Sequence, residues 1–398
     1  MVKELRNKYN RNFTKEKYEL FLKDLDSPYP GQLEFRVAET PLFIPADFKT
    51  KMMDACESII DAITQPEYHL QSTKSIPENL CVPNEDEHPH CIAFDFGICS
   101  NEQGELEPQL IEMQGFPTIF AYQVMLEEVH ARHFYHPEGY STYLNGFDKE
   151  SCLTLLKKLI VNGSKPENVV LLEIFPEQQK TKIDFRCTEQ YLGIKTICLT
   201  DLIQDGKDLF YNNNGIKTKI ERIYNRLIFD DLFQQPKEIQ EKGKIFQQDL
   251  NVVWVPHPNW FYRISKYSLP FIKHPYVPQT QFLNEIETLP NDLENYVVKP
   301  LFSFAGQGVI IDVTREQISS IKDPENWILQ RKVNYAAVIE TPDEPAKAEI
   351  RLFYLWEEGE PRPVATNNLA RLSKGKMVGV RYNIDKEWVG GSFALFEQ

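Results

Sequence analysis

Val297-Val-Lys-Pro-Leu-Phe-Ser-Phe-Ala-Gly-Gln-Gly-Val-Ile-Ile311 joins two β-branched runs through a lysine and a turn of small residues. The pattern predicts a strand ending in Lys299, a loop through Ser303, Ala305, Gly306 and Gly308, and a returning strand. Glycines let such a loop close over a ligand, its backbone N–H groups favour an anion, and a lysine adds a point charge. The stretch therefore suits phosphate. No helix pattern follows at once, so it is neither a Walker A loop nor a dinucleotide fingerprint. Taken alone, it reads equally well as a glycine-containing hairpin with a solvated lysine.

Downstream, Trp327-Ile-Leu-Gln-Arg-Lys-Val333 looks like a strand entering a hinge, with Gln330 and the backbone near Val333 placed to meet an adenine edge. Glu349-Ile-Arg351, Arg371-Leu-Ser373, Asn383 and Gly390-Gly391 follow in that order. Upstream, residues 91–98 and 109–114 are strand-like runs joined by a polar turn, and they carry Asp95, Glu112 and Gln114. Glu112 and Gln114 are two apart and share a face. Between these segments the chain alternates: a helix at 151–160, a strand at 168–174, a helix at 183–192, a strand at 195–199. That order predicts right-handed crossovers and a parallel sheet. Before it, helices are expected around 18–25 and at 46–63, then an acidic, proline-rich loop at 75–89. Three regions result, 1–146, 147–256 and 257–398.

This order of lysine-glycine loop, hinge, acidic-x-Arg strand, Arg-x-Ser strand, asparagine and Gly-Gly resembles the nucleotide-binding half of the ATP-grasp superfamily. Acidic strands that precede the lysine loop resemble its circularly permuted branch, represented by eukaryotic-type glutathione synthetase and glutathionylspermidine synthetase. Glu173-Ile-Phe-Pro-Glu-Gln-Gln178, Asp184-Phe-Arg186, the Gly-Ile strand at Gly193 and Ile223-Tyr-Asn-Arg226-Leu-Ile228 are similar to the substrate-side domain of that group. The resemblance spans roughly residues 90 to 398. It implies an α+β fold with an α/β subdomain, in which a circularly permuted ATP-grasp module joins a Rossmann-like substrate domain. It also implies ATP and Mg²⁺ as cofactors, and ATP-dependent joining of a small-molecule acid to an amine through an acyl phosphate.

The resemblance assigns Lys273, Lys299, Ser303, Gly306, Gly308, Gln330 and Val333 to ATP, and Asp95, Glu112 and Gln114 to the metal. Arg351, Arg371 and Asn383 fall to catalysis, Arg226 and Ser373 to substrate. The chain departs from the family at Ala93, where relatives often carry an arginine, at Gln114, where they carry asparagine, and at Ser303, where a metal-binding glutamate can stand. The first two departures favour a different class, a nucleotide-binding regulatory module without ligase activity. A phosphotransferase is a further alternative, because one fold hosts several chemistries.

Composition narrows the partners. The 398 residues carry 58 acidic and 44 basic side chains, for a net charge of -14, which repels nucleic acid and anionic lipid surfaces. Apolar residues at 42% exclude wholesale disorder. No apolar run approaches a membrane span, the first residues lack a signal-peptide core, and the 7 cysteines form no C-x-x-C pair, so a cytoplasmic protein is expected. His88-Pro-His90-Cys91 lacks a fourth metal ligand at a recognised spacing. Glu85-Asp-Glu87 reads as a solvated turn, and His130, His133 and His136 as neighbours along one helical face.

Overall fold

Alternation, interrupted by register shifts at Asp95/Phe96 and Phe353/Tyr354, decides which way the central sheet faces. The computed structural model describes residues 1–302, 308–375, 378 and 383–398. Its 5-stranded antiparallel sheet runs, edge to edge, through Gly390–Ser392, Val364–Ser373, Lys347–Leu355, Cys91–Ser100 and Leu106–Gln114. The expected hairpin at 91–114 is its last pair. Asn101 shapes the turn, its Oδ1 accepting from the backbone N–H groups of Gln103 and Glu105. Ile92, Phe94, Phe96, Ile98, Ile350, Leu352, Ala370 and Leu372 point to one side, into a core shared with helix Ala46–Ile63. The other side carries Asp95, Glu112, Glu349, Arg351 and Arg371. Register places Arg351 opposite Asp95, Asp95 opposite Glu112, and Glu349 opposite Arg371. A slip of one residue would drive these charges into the core, so the burial that stabilises the sheet also fixes where its charges lie.

The predicted α/β region is a 4-stranded parallel sheet in the order Val253–Val255, Arg222–Asn225, Val169–Glu173, Lys195–Cys198. Helix Lys149–Val161 starts at a capping box between Asp148 and Ser151, and helix Lys182–Leu192 ends at Gly193 in the left-handed conformation. From Val169–Glu173 the chain builds outward to Lys195–Cys198, then crosses to Arg222–Asn225 on the other side. The topological switch point, where ligand crevices form in such sheets, therefore lies at the carboxyl ends of these two inner strands. A 3-stranded meander, Ile203–Asp205, Asp208–Asn213 and Ile216–Ile220, is inserted before the crossing, and the sequence reading does not anticipate it.

A third sheet, Thr280–Phe282, Trp327–Arg331 and Tyr296–Pro300, is antiparallel and contains Lys299. Among the described residues the returning strand expected after the glycine loop is represented by one bridge, Ile310 to Val298. Pro300 has no N–H to extend the ladder, and Gly308, at φ +73°, turns the chain beside its ring. Ser303 and Gly306 lie outside the described residues.

The N-terminal segment closes the structure. Helices Lys3–Asn12 and Lys15–Asp26 bury Tyr9, Phe21 and Leu25 against helix Phe120–His133, and Leu42–Ile44 pairs in parallel with the C-terminal Ala394–Glu397. Gly390, at φ +122°, is where the segment presses closest: a Cβ there would stand 2.4 Å from the Arg36 carbonyl oxygen.

The acidic loop differs from its expected solvated turn. Glu85 is held by Arg263, whose Nη2 donates at 3.0 Å, and by Asn259 at 3.1 Å. Asp86 accepts from Trp260 Nε1 at 2.6 Å, and burial pushes its carboxyl up to about 6. The guanidinium of Arg263 is buried, and a buried cation needs a carboxylate beside it. His88 stacks on Trp356, and His90 lies between Asp86 and Glu358. The three histidines at 130–136 do not share one helical face. The helix ends at His133, which meets Asp24 at 2.8 Å, while His136 folds back to within 2.9 Å of His130. Among the described residues no helix is long and apolar enough to cross a membrane.

Candidate functional site

The charged face of the central sheet is a chain of paired ions. Asp95, with a side chain 2% exposed, accepts from Arg351 Nε, from Arg351 Nη2 at 2.6 Å and from Arg371 Nη2 at 2.7 Å. Arg371 Nη2 also lies 2.7 Å from Glu349 Oε2, and Tyr335 donates its hydroxyl proton to Glu349 Oε1. Gly97 makes room for that ring: a Cβ there would stand 2.8 Å from Tyr335 Cε1. Burial alone would raise the Asp95 carboxyl, but Arg351 and then Arg371 outweigh it and hold the group below its ordinary value. For Glu349 burial wins, and its carboxyl is raised despite Arg371. Glu112 stands differently. Its side chain is 31% exposed and its closest ion-pair contact is Arg351 Nη2 at 3.6 Å.

The charge of Glu112 acts on two lysines. Lys299 reaches from its own sheet to the central one, donating to the Ile111 carbonyl at 3.1 Å and to Gln330 Oε1 at 2.6 Å. Burial pushes its ammonium down to about 8, with Glu112 pulling the other way and Lys266 adding to the depression. Lys266, only 6% exposed in the short turn Lys266–Phe271, is lowered by burial and supported by Glu112 and Asp230. Lys273, which the resemblance assigns to ATP, is exposed at the surface, and Lys266 has no role in the sequence reading. The available signal was a lone lysine inside the aromatic run Trp260-Phe-Tyr-Arg-Ile-Ser-Lys-Tyr-Ser-Leu-Pro-Phe271.

Gln330 is not turned toward an open adenine pocket. It is buried, accepts from Lys299 and donates to Thr280 Oγ1 at 3.0 Å. Val333 instead lines an open cleft of about 650 Å³ beside the hinge, with Cys99, Glu107, Gln109, Gln279 and Lys332. The Gln114 amide nitrogen donates to Phe116 O at 3.4 Å. Ser373 and Asn383 meet each other, Asn383 Nδ2 donating to Ser373 Oγ at 2.9 Å and its Oδ1 accepting from Lys374 N at 2.8 Å.

Arg226 belongs to the switch point of the parallel sheet, where its Nη1 donates to the fully buried Asp184 at 2.8 Å. Glu173 ends the neighbouring strand, and burial pushes its carboxyl up to about 8. Among the described residues, Asn225 Nδ2 and the Tyr262 hydroxyl are buried here without a hydrogen-bond partner. The sequence reading gave Glu173, Asn225 and Tyr262 no site role. Polar residues at strand carboxyl ends were the signal, but it becomes usable only once strand order is known. The charge of Asp230 acts on both Lys266 and Tyr262.

These sheets define a mixed α/β fold. The apo structure of a glutathione synthetase-like effector from Globodera pallida is similar to it, with a TM-score of 0.56 over 96% of this chain and 98% of that one, at 10% sequence identity. At that identity the likeness speaks for the fold. No protein-family model matches the chain, and no curated protein matches its sequence.

Proposed function

We propose that the chain is a circularly permuted ATP-grasp ligase that binds Mg·ATP between the central sheet and the Lys299 sheet and joins a small-molecule acid to an amine. The observation that carries this reading is that the partly exposed Glu112 lies 3.6 Å from Arg351 and its charge acts on both Lys299 and Lys266. Strand Cys91–Ser100 precedes Lys299 in the chain yet pairs directly with Lys347–Leu355, which supports the permuted order.

Glu112 and Gln114 offer hard oxygens on one strand face and fit a cation that brings phosphate oxygens and waters with it. Asp95 fits less well, because both its oxygens are engaged by guanidinium groups. We assign it to holding Arg351 and Arg371. Among the described residues no group of three or more histidines, cysteines or carboxylates is arranged to hold a metal, so phosphates would have to complete the shell. When bound, Mg²⁺ neutralises phosphate charge and orients the terminal group. Lys299 and Lys266 bind the same phosphates, and Arg351 and Arg371 offset charge on the group in transfer. An acid seated near Arg226, Asn225 and Glu173 attacks the terminal phosphorus and releases ADP. The amine then attacks the acyl carbon and releases phosphate.

The test is incubation with Mg·ATP, pooled amino acids, γ-glutamyl peptides and polyamines, with and without hydroxylamine. ADP, phosphate and a hydroxamate are expected. A stable phosphorylated product without hydroxamate would make the protein a phosphotransferase, and AMP with pyrophosphate would contradict the mechanism. Ala93 and the engaged Asp95 favour the second reading, a module that binds nucleotide and turns nothing over.

A further inference from the structure

Thr118, 7% exposed, lies in the turn between strand Leu106–Gln114 and helix Phe120–His133. Its hydroxyl accepts from Arg351 Nη1 at 3.3 Å, and its main-chain carbonyl accepts from Arg226 Nη1 at 2.8 Å. The same Arg226 nitrogen donates to Asp184 Oδ2, and Asp184 Oδ1 accepts from Tyr122 N at 2.9 Å in the first turn of the helix. Polar contacts thus run unbroken from the hinge to the switch point through Tyr335, Glu349, Arg371, Asp95, Arg351, Thr118, Arg226 and Asp184. Arg351 spends Nε and Nη2 on Asp95, so Thr118 holds the remaining corner of the guanidinium.

We infer that Thr118 is a positioning residue that fixes the phosphate-side arginine relative to the substrate-side arginine, so that a change at Arg226 is felt in nucleotide binding. This rests on the reading of the charged face as a Mg·ATP site. A buried threonine that merely satisfied its own hydroxyl would affect stability alone. One that couples two sites makes their perturbations non-additive.

The experiment measures Mg·ATP affinity by titration calorimetry in wild type, Thr118→Val, Thr118→Ser, Arg226→Lys and the Thr118→Val/Arg226→Lys double variant. Valine removes the acceptor and keeps the shape and the carbonyl; serine keeps the hydroxyl. Thr118→Val should weaken Mg·ATP about fivefold, and Thr118→Ser should bind like wild type. Arg226→Lys should weaken binding about threefold in the wild-type background and have no further effect beside Thr118→Val. If Arg226→Lys does not melt cooperatively, Asp184→Asn loosens the same guanidinium and replaces it. Unchanged affinity in Thr118→Val, or an Arg226 effect equal in both backgrounds, overturns the inference while leaving the nucleotide site standing. A wild type that binds no Mg·ATP overturns both.

Discussion

Asp95→Ala lowers the stability of the fold by about 3–5 kcal/mol, the cost of removing one partner from a buried ion cluster. The cost arises because Arg351 and Arg371 both donate to this one carboxylate. Without it two guanidinium groups lose their shared carboxylate, and the Arg351 side chain, only 11% exposed, has little water to replace it. Glu349 compensates only Arg371, and Glu112 stands 3.6 Å from Arg351. Asp61→Ala is the control, since it breaks an exposed pair with Arg362 and should cost about 0–1 kcal/mol. Urea unfolding at pH 7 measures both. The direction with pH follows from the depressed carboxyl of Asp95. Its contribution is fully present above the unfolded value of about 4 and is lost as pH falls through the lower folded value, so wild type and Asp95→Ala should converge in acid. Equal unfolding midpoints for Asp95→Ala and wild type at pH 7 would show that the arginines do not depend on this residue.

Lys299→Ala should bind Mg·ATP one to two decades more weakly, which corresponds to losing about 1.5–3 kcal/mol of charge-assisted contact. The variant should remain folded, because it removes an ammonium that burial already disfavours. With the folded value at about 8 and the ordinary one at 10.5, the folded chain sheds a proton that the unfolded chain keeps. This lysine therefore makes stability rise with pH across that window, and the rise should be missing in Lys299→Ala. Nucleotide favours the protonated form, so wild-type Mg·ATP affinity should fall as pH rises through about 8, with proton uptake on binding. Calorimetry in buffers of different ionisation enthalpy reads that uptake directly. Unchanged affinity in Lys299→Ala would make the loop an ordinary hairpin.

Local patterns were legible in proportion to how much burial enforces them. The strand-like run at 91–98 predicted a strand that forms over Cys91–Ser100, and the 3.6-residue spacing at 46–63 predicted a helix that forms over Ala46–Ile63. Alternation shows which residues share a face but not which strands become neighbours. The pairing of Asp95 with Arg351 and Arg371 joins positions more than 250 residues apart, and it appears only in the assembled sheet. Lys266 and Lys273 lie seven residues apart in one aromatic stretch, and no local rule says which of them turns inward. The acidic loop was misread for a similar reason: Glu85 and Asp86 look solvated until Arg263 and Trp260 are brought against them. Polar residues can be assigned a surface by default, whereas their partners are a property of the tertiary fold.

The central claim is that the charged face binds ATP together with a divalent cation held at Glu112. The most direct measurement is titration of wild type and Glu112→Gln with ATP, in the presence of Mg²⁺ and then in EDTA. The substitution keeps the shape of the side chain and removes its charge. Wild type should bind ATP more tightly with Mg²⁺ than without, and Glu112→Gln should lose that advantage while binding metal-free ATP at least as well. Equal Mg·ATP affinities in the two proteins would contradict the account.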